Sequence, residues 1–126
     1  MPSEPLALLL LSGTHERAHY AFVLAAGAAS LGRRVVLFAT NAGVRGLLAD
    51  WSGLDDAARD GLIRARGVAG LDELRAAATE LGVVLLACEA GLRAEGIAAE
   101  GLLPEVSVAG VATFLEAARG GQVVTL

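Results

Sequence analysis

Cys88 is the only cysteine of this 126-residue chain, and it directly follows the apolar run Val83–Ala87. The run predicts a buried strand that leads into a short helix. A thiol at that junction lies near free backbone N–H groups, which favour the nucleophilic thiolate. Glu89 opposes this, because an adjacent carboxylate disfavours a thiolate unless it faces solvent. Cys88 is therefore the candidate catalytic residue, and the open alternative is a small buried hydrophobe that ends a strand.

A second chemically capable stretch is His15-Glu16-Arg17-Ala18-His19, which matches the HExxH signature of zinc proteases. That chemistry needs two histidines on one helical face, a glutamate as general base and a third protein ligand. The chain holds no further histidine, and no acidic residue follows the stretch before Asp50. We expect no metal and no cofactor. A metal site at His15 and His19, or a hydrolase built on it, is kept as a weak alternative.

The elements that would position these residues alternate along the chain. Five apolar runs predict strands: Leu6–Leu11, Val35–Ala39, Val83–Ala87, Val106–Val108 and Gln122–Leu126. Helical patterns lie between them, the first capped by Thr14 and ended by Gly32. The others are Val44–Asp50, a helix from Asp72 to Gly82, Glu89–Glu95, a turn over Ile97–Leu103, and Gly110–Arg119. This alternation predicts a parallel sheet with helices on both faces.

The polar segment Trp51–Gly70 carries the weakest pattern, and we interpret it as a loop with one short helix. Its acidic residues are expected to form a solvated helix face: Asp55, Asp56 and Asp60.

Functional groups in parallel sheets gather beyond the carboxyl ends of the strands. Three segments fall there: Ser12–His15, Thr40–Gly43 and Cys88–Gly91. If the first and third strands are neighbours, His15 shares a crevice with Cys88 and could favour its thiolate. The residues predicted to form the pocket around the thiol are Gly13, Thr14, His15, Asn41, Glu89, Ala90 and Gly91.

Composition limits the remaining choices. The net charge is −4 and the ten basic residues, all arginine, are scattered, which argues against a nucleic-acid partner. No apolar run approaches the roughly 18 residues of a membrane-spanning helix. We therefore predict one domain over residues 1–126 in a soluble cytoplasmic protein. The apolar content of 55% suggests surface buried between copies of the chain.

Several stretches together carry a family resemblance. They are an apolar strand ending in Ser12-Gly13, then Val35–Phe38, Gly43-Val44, Val83–Cys88, Gly96-Ile97 and Ala109–Leu115. In this order they resemble the DsrE/DsrF-like family. The resemblance implies a flavodoxin-like three-layer α/β sandwich, with a mainly parallel five-stranded sheet in a single domain. It also implies homo-oligomers, trimers or hexamers.

The resemblance further implies a sulfur carrier or sulfurtransferase in which Cys88 accepts sulfane sulfur as a persulfide. The partners would be a donor or acceptor protein, or a small sulfur species. The chain has no second cysteine near its C-terminus, so handover within the protein is not available to it. A non-catalytic oligomeric binding protein on the same fold, with an inert Cys88, is the alternative from another class.

Overall fold

The computed structural model describes residues 4–126, and its centre is one sheet of five parallel strands. The strands are β1 (Leu6–Leu10), β2 (Val35–Ala39), β3 (Val84–Cys88), β4 (Ser107–Ala109) and β5 (Gln122–Thr125). Their order across the sheet is β4-β3-β2-β1-β5. The predicted fold class, a single-domain α/β sandwich with a parallel five-stranded sheet, is confirmed.

Helices cover both faces of the sheet. They are α1 (His15–Ser30), α2 (Arg59–Ala65), α3 (Leu71–Glu80), α4 (Glu89–Glu95) and α5 (Val111–Ala117). Two 3-10 segments, Asn41–Leu47 and Ala99–Gly101, take the place of the short helix predicted over Val44–Asp50 and the helical turn predicted over Ile97–Leu103. Helices α1 and α3 pack together on one face, and α5 packs against β2 on the other.

The strands feed two separate apolar cores because successive side chains of a strand point to opposite faces. On β3, Leu85 and Ala87 face the α1 side, whereas Leu86 and Cys88 face the α5 side. Phe114 of α5 completes the second core by stacking on the phenylalanine ring of β2, with the two ring centroids 5.0 Å apart. Cys88 therefore belongs to the α5 side of the sheet.

Strands β1 and β3 are not neighbours, so the condition under which His15 would share a crevice with Cys88 is not met. Strand β2 lies between them and pairs with both, Leu37 opposite Leu8 on one side and opposite Leu85 on the other. Each of the first three crossovers adds its strand in the same direction, and β5 alone returns to the far side of β1. Apolar runs predict that strands exist but carry no signal for their order.

The segment 51–70 is held in place by backbone pairing with another part of the chain and by side chains buried in the interior. Thr14 forms an isolated parallel bridge with Asp55, and α2 places Asp60 in the interior with 4% of its surface exposed. The prediction of a solvated acidic face therefore fails at Asp60. Among the described residues, none of the helices has the length and apolar character needed to span a bilayer.

Candidate functional site

Cys88 ends β3 and caps the first turn of α4, as its position after an apolar run predicts. Its Sγ accepts a hydrogen bond from the backbone N–H of Gly91 over 3.3 Å. The side chain is 8% exposed. A donor aimed at sulfur favours the charged thiolate over the neutral thiol.

Cys88 lines an open cavity of about 620 Å³. Strand β4 pairs alongside β3 and brings Ala109 opposite Cys88, so the turn into α5 forms one wall. Helix α4 forms the other wall. The lining residues are Cys88, Glu89, Ala90, Arg93, Ala94, Gly110 and Val111. Two of the predicted pocket residues, Glu89 and Ala90, therefore lie beside the thiol.

Glu89 does not direct its charge at the sulfur. Its carboxylate accepts a hydrogen bond from Arg93 over 2.9 Å, and both side chains are largely in solvent. The neighbouring guanidinium and the surrounding water offset the negative charge. The pairing with Arg93 and the exposure to solvent therefore weaken the repulsion that Glu89 would exert on a thiolate at Cys88.

Gly91 is held against the segment that follows β2. A Cβ at this position would lie 2.6 Å from the backbone N of Asn41 and 2.7 Å from Oγ1 of Thr40. An ion pair between Arg45 and Glu95 joins the same segment to the far end of α4. Asn41 therefore supports the site through its backbone, which adopts a left-handed φ of 51°.

The other predicted pocket residues lie elsewhere, and this corrects the prediction. Because β2 separates β1 from β3, and α1 covers the opposite face from α5, His15 does not reach the cavity of Cys88. Gly13 packs against Ala42, and Thr14 caps α1 by accepting from the N–H of Arg17. None of Gly13, Thr14 and His15 lines the cavity.

The HExxH stretch does not have the geometry of a zinc protease. Nε2 of His15 donates to Asp60, and Nε2 of His19 donates to the carbonyl of Ala69, each over 2.8 Å. The two rings stack with centroids 5.5 Å apart, and the Glu16 side chain is mostly in solvent. Within residues 4–126 no group of three or more His, Cys, Asp or Glu side chains could hold a metal ion.

The histidines instead belong to a buried polar cluster centred on Asp60. Its carboxylate accepts from Nε2 of His15, from the backbone N–H of Leu71 over 2.8 Å and from Nε of Arg64 over 3.1 Å. Burial alone raises the pKa of Asp60, but these hydrogen bonds and the nearby charges outweigh it, so the pKa is lowered. The cluster joins α1, α2 and the start of α3.

The lowered pKa gives an acid-linked stability with a definite sign. The contribution of Asp60 is fully present above the pKa of an unfolded aspartate, about pH 4, and is lost as pH falls through the lower folded value. Urea unfolding at pH 7 and at a series of acidic pH values should therefore show a loss of stability that Asp60→Asn reduces. Parallel curves for the wild type and Asp60→Asn would contradict this assignment.

Comparison with known proteins identifies the protein family. Residues 47–126 match the model of the DsrE/DsrF/DrsH-like family, so the chain belongs to that family. Two solved structures share the fold over 98% of this chain and 100% of theirs. The protein of unknown function MTH1491 from Methanobacterium thermoautotrophicum has 20% identity and a TM-score of 0.62. The ychN protein from E. coli has 14% identity and a TM-score of 0.73. A search of curated proteins found no significant match.

Proposed function

We propose that this protein is a sulfur carrier or sulfurtransferase in which Cys88 accepts sulfane sulfur as a persulfide. One observation carries the proposal: Cys88, whose sulfur accepts a hydrogen bond from a backbone N–H, lines a cavity of about 620 Å³. Membership of the DsrE/DsrF/DrsH-like family supports it. Cys88 supplies the nucleophile, and the backbone N–H of Gly91 points at its sulfur.

The loading step is a displacement at sulfur. The Cys88 thiolate attacks the outer sulfur of thiosulfate or of a polysulfide, and a new S–S bond forms while the old one breaks. The leaving group, sulfite or a shorter polysulfide, departs with the bonding electron pair. The product is a Cys88 persulfide, and the cavity that Cys88 lines together with Gly110 and Val111 would hold its outer sulfur.

The unloading step needs an outside acceptor, because the chain contains one cysteine. A thiolate of another protein or of a small thiol attacks the outer sulfur, and the Cys88 thiolate leaves. Such chemistry requires a compartment that keeps thiols reduced, so we place the protein in the cytoplasm.

Sulfur loading can be measured directly by intact mass spectrometry. Wild-type protein incubated with thiosulfate or polysulfide is expected to gain the mass of one sulfur atom, and a reductant should remove it. Cys88→Ser is the matched control, because it keeps the size of the side chain and removes the nucleophile. No adduct on the wild type, or an equal adduct on Cys88→Ser, would refute the proposal.

A second candidate is a non-catalytic oligomeric binding protein in which Cys88 is inert. The 8% exposure of the residue favours it, since buried cysteines without access are unreactive. Titration with a thiol reagent separates the two functions, because an inert cysteine is labelled only after unfolding.

Homo-oligomers, trimers or hexamers, are part of both candidate functions. Support comes from two apolar side chains left exposed on α5, Val111 and Leu115, of which Val111 also lines the cavity of Cys88. Exposed apolar side chains that lie together are typical of protein interfaces.

A further inference from the structure

Strand β5 leaves one side of its backbone without a partner within the described residues. The N–H of Gln122 donates to Pro5 over 3.0 Å and that of Leu126 donates to Leu9 over 2.8 Å, so alternate residues of the strand bond to β1. The residues between them, Val123 and Thr125, direct their N–H and C=O groups away from the sheet. Strand β5 is the edge of the sheet on this side.

This edge lacks the charges and the proline that often prevent strands from pairing between molecules. Edges are normally protected by charges, proline, bulges or short length. At the other edge, β4 has three residues and follows Pro104-Glu105. Strand β5, Gln-Val-Val-Thr, contains no charge and no proline.

Apolar surface surrounds the open edge. Val123 is 51% exposed and Leu31, at the end of α1, is 81% exposed. A groove of about 320 Å³ runs between α1 and β5. Its lining is mostly apolar and includes Leu31 and Val124, with Arg33 and Gln122 as its polar members. A strand added to this edge would therefore cover apolar side chains in addition to forming backbone hydrogen bonds.

We infer that β5 pairs antiparallel with β5 of a second copy of this chain, about a two-fold axis at Val124. In that register Val123 lies opposite Thr125 of the second copy and exchanges both backbone hydrogen bonds with it. Each outward N–H and C=O of the two residues then has a partner. A shift by one residue would place side chains from opposite faces against each other, which pairing forbids.

The second copy is the occupant because the edge is complementary to itself. The strand brings no charge that would repel its copy, and the opposed residues Val123, Val124 and Thr125 are β-branched, which favours cross-strand packing. Each copy also presents the same groove to the other, as an isologous contact requires. The contact joins the two sheets into one and predicts an even-numbered assembly. It does not depend on the chemistry of Cys88.

Engineered disulfides test the register. Val124→Cys in a Cys88→Ser background places two thiols in a non-hydrogen-bonded pair with Cα atoms about 4.5 Å apart, within the range of a disulfide. Mild oxidation should therefore cross-link Val124→Cys into a dimer. The matched control is Val123→Cys in the same background, whose two copies lie beyond the limit of roughly 7 Å and should stay uncrosslinked.

Proline substitution tests the hydrogen bonds. Val123→Pro removes an outward N–H that β1 does not use, and an edge strand tolerates proline in that position. Light scattering should show an even-numbered wild-type assembly, with Val123→Pro at half that mass or less and an unchanged far-UV circular dichroism spectrum. A monomeric wild type, an unchanged mass for folded Val123→Pro, or equal cross-linking of Val123→Cys and Val124→Cys would overturn the inference.

Discussion

Replacing Asp60 with alanine is expected to lower the free energy of unfolding by about 2–6 kcal/mol, because each of two buried donors left without an acceptor costs about 1–3 kcal/mol. The substitution leaves Nε2 of His15 and the backbone N–H of Leu71 buried without an acceptor. Arg64 also loses its partner, although its side chain is mostly in solvent and contributes little. Urea unfolding followed by circular dichroism measures the change.

Glu80→Ala is the control for losing an exposed carboxylate from a helix. Glu80 lies in the last turn of α3 on the surface, so its removal should change the stability by no more than about 0.5 kcal/mol. Asp60→Asn should fall between the two, because it keeps an oxygen acceptor and loses the charge. A loss below about 1 kcal/mol for Asp60→Ala would contradict the structural role of the cluster.

Gly91→Ala is expected to slow the reaction of Cys88 with iodoacetamide at neutral pH. The added Cβ would meet the backbone of Asn41 at 2.6 Å, so α4 must shift and its N–H must move away from the sulfur. Loss of a hydrogen bond to a charged group costs about 1.5–3 kcal/mol, but the sulfur also becomes more nucleophilic, so about half of this cost appears in the rate, roughly three- to twentyfold. The same overpacking should lower the stability by about 1–3 kcal/mol, which outweighs the helix preference for alanine.

Gly110→Ala provides the matched control. Gly110 also lines the cavity of Cys88, but a Cβ there has no heavy atom within 4 Å apart from its chain neighbours. Its stability and its alkylation rate at neutral pH should stay close to those of the wild type. Equal rates for Gly91→Ala and the wild type would show that the N–H of Gly91 does not influence the thiol.

The sequence predicts the elements better than their arrangement. Apolar runs place all five strands within a few residues, and the junction of strand and helix places Cys88 beside Glu89 and Ala90. The order of the strands is set by which side each crossover takes, and no local pattern records that choice. The sequence therefore predicts His15 beside Cys88, whereas the structure places His15 on the other side of the sheet.

Two further features could not be read from residue types alone. Asp60 and Arg64 are four residues apart, which fits a surface ion pair as well as the buried carboxylate that the structure shows. The HExxH match depends on where the imidazole nitrogens point, and the fold directs Nε2 of His15 and His19 to Asp60 and Ala69. The support that Asn41 gives to Gly91 acts through backbone contact, for which side-chain chemistry provides no signal.

The central claim, that Cys88 is a reachable and working thiol, is tested most directly by alkylating the folded protein before sulfur is offered. Iodoacetamide in native buffer, followed by polysulfide and intact mass spectrometry, should give one alkyl group per chain and no sulfur uptake, while untreated protein gains one sulfur atom. Labelling that appears only in denaturant, with no sulfur uptake by the untreated protein, would contradict the account and leave Cys88 as the buried end of a strand.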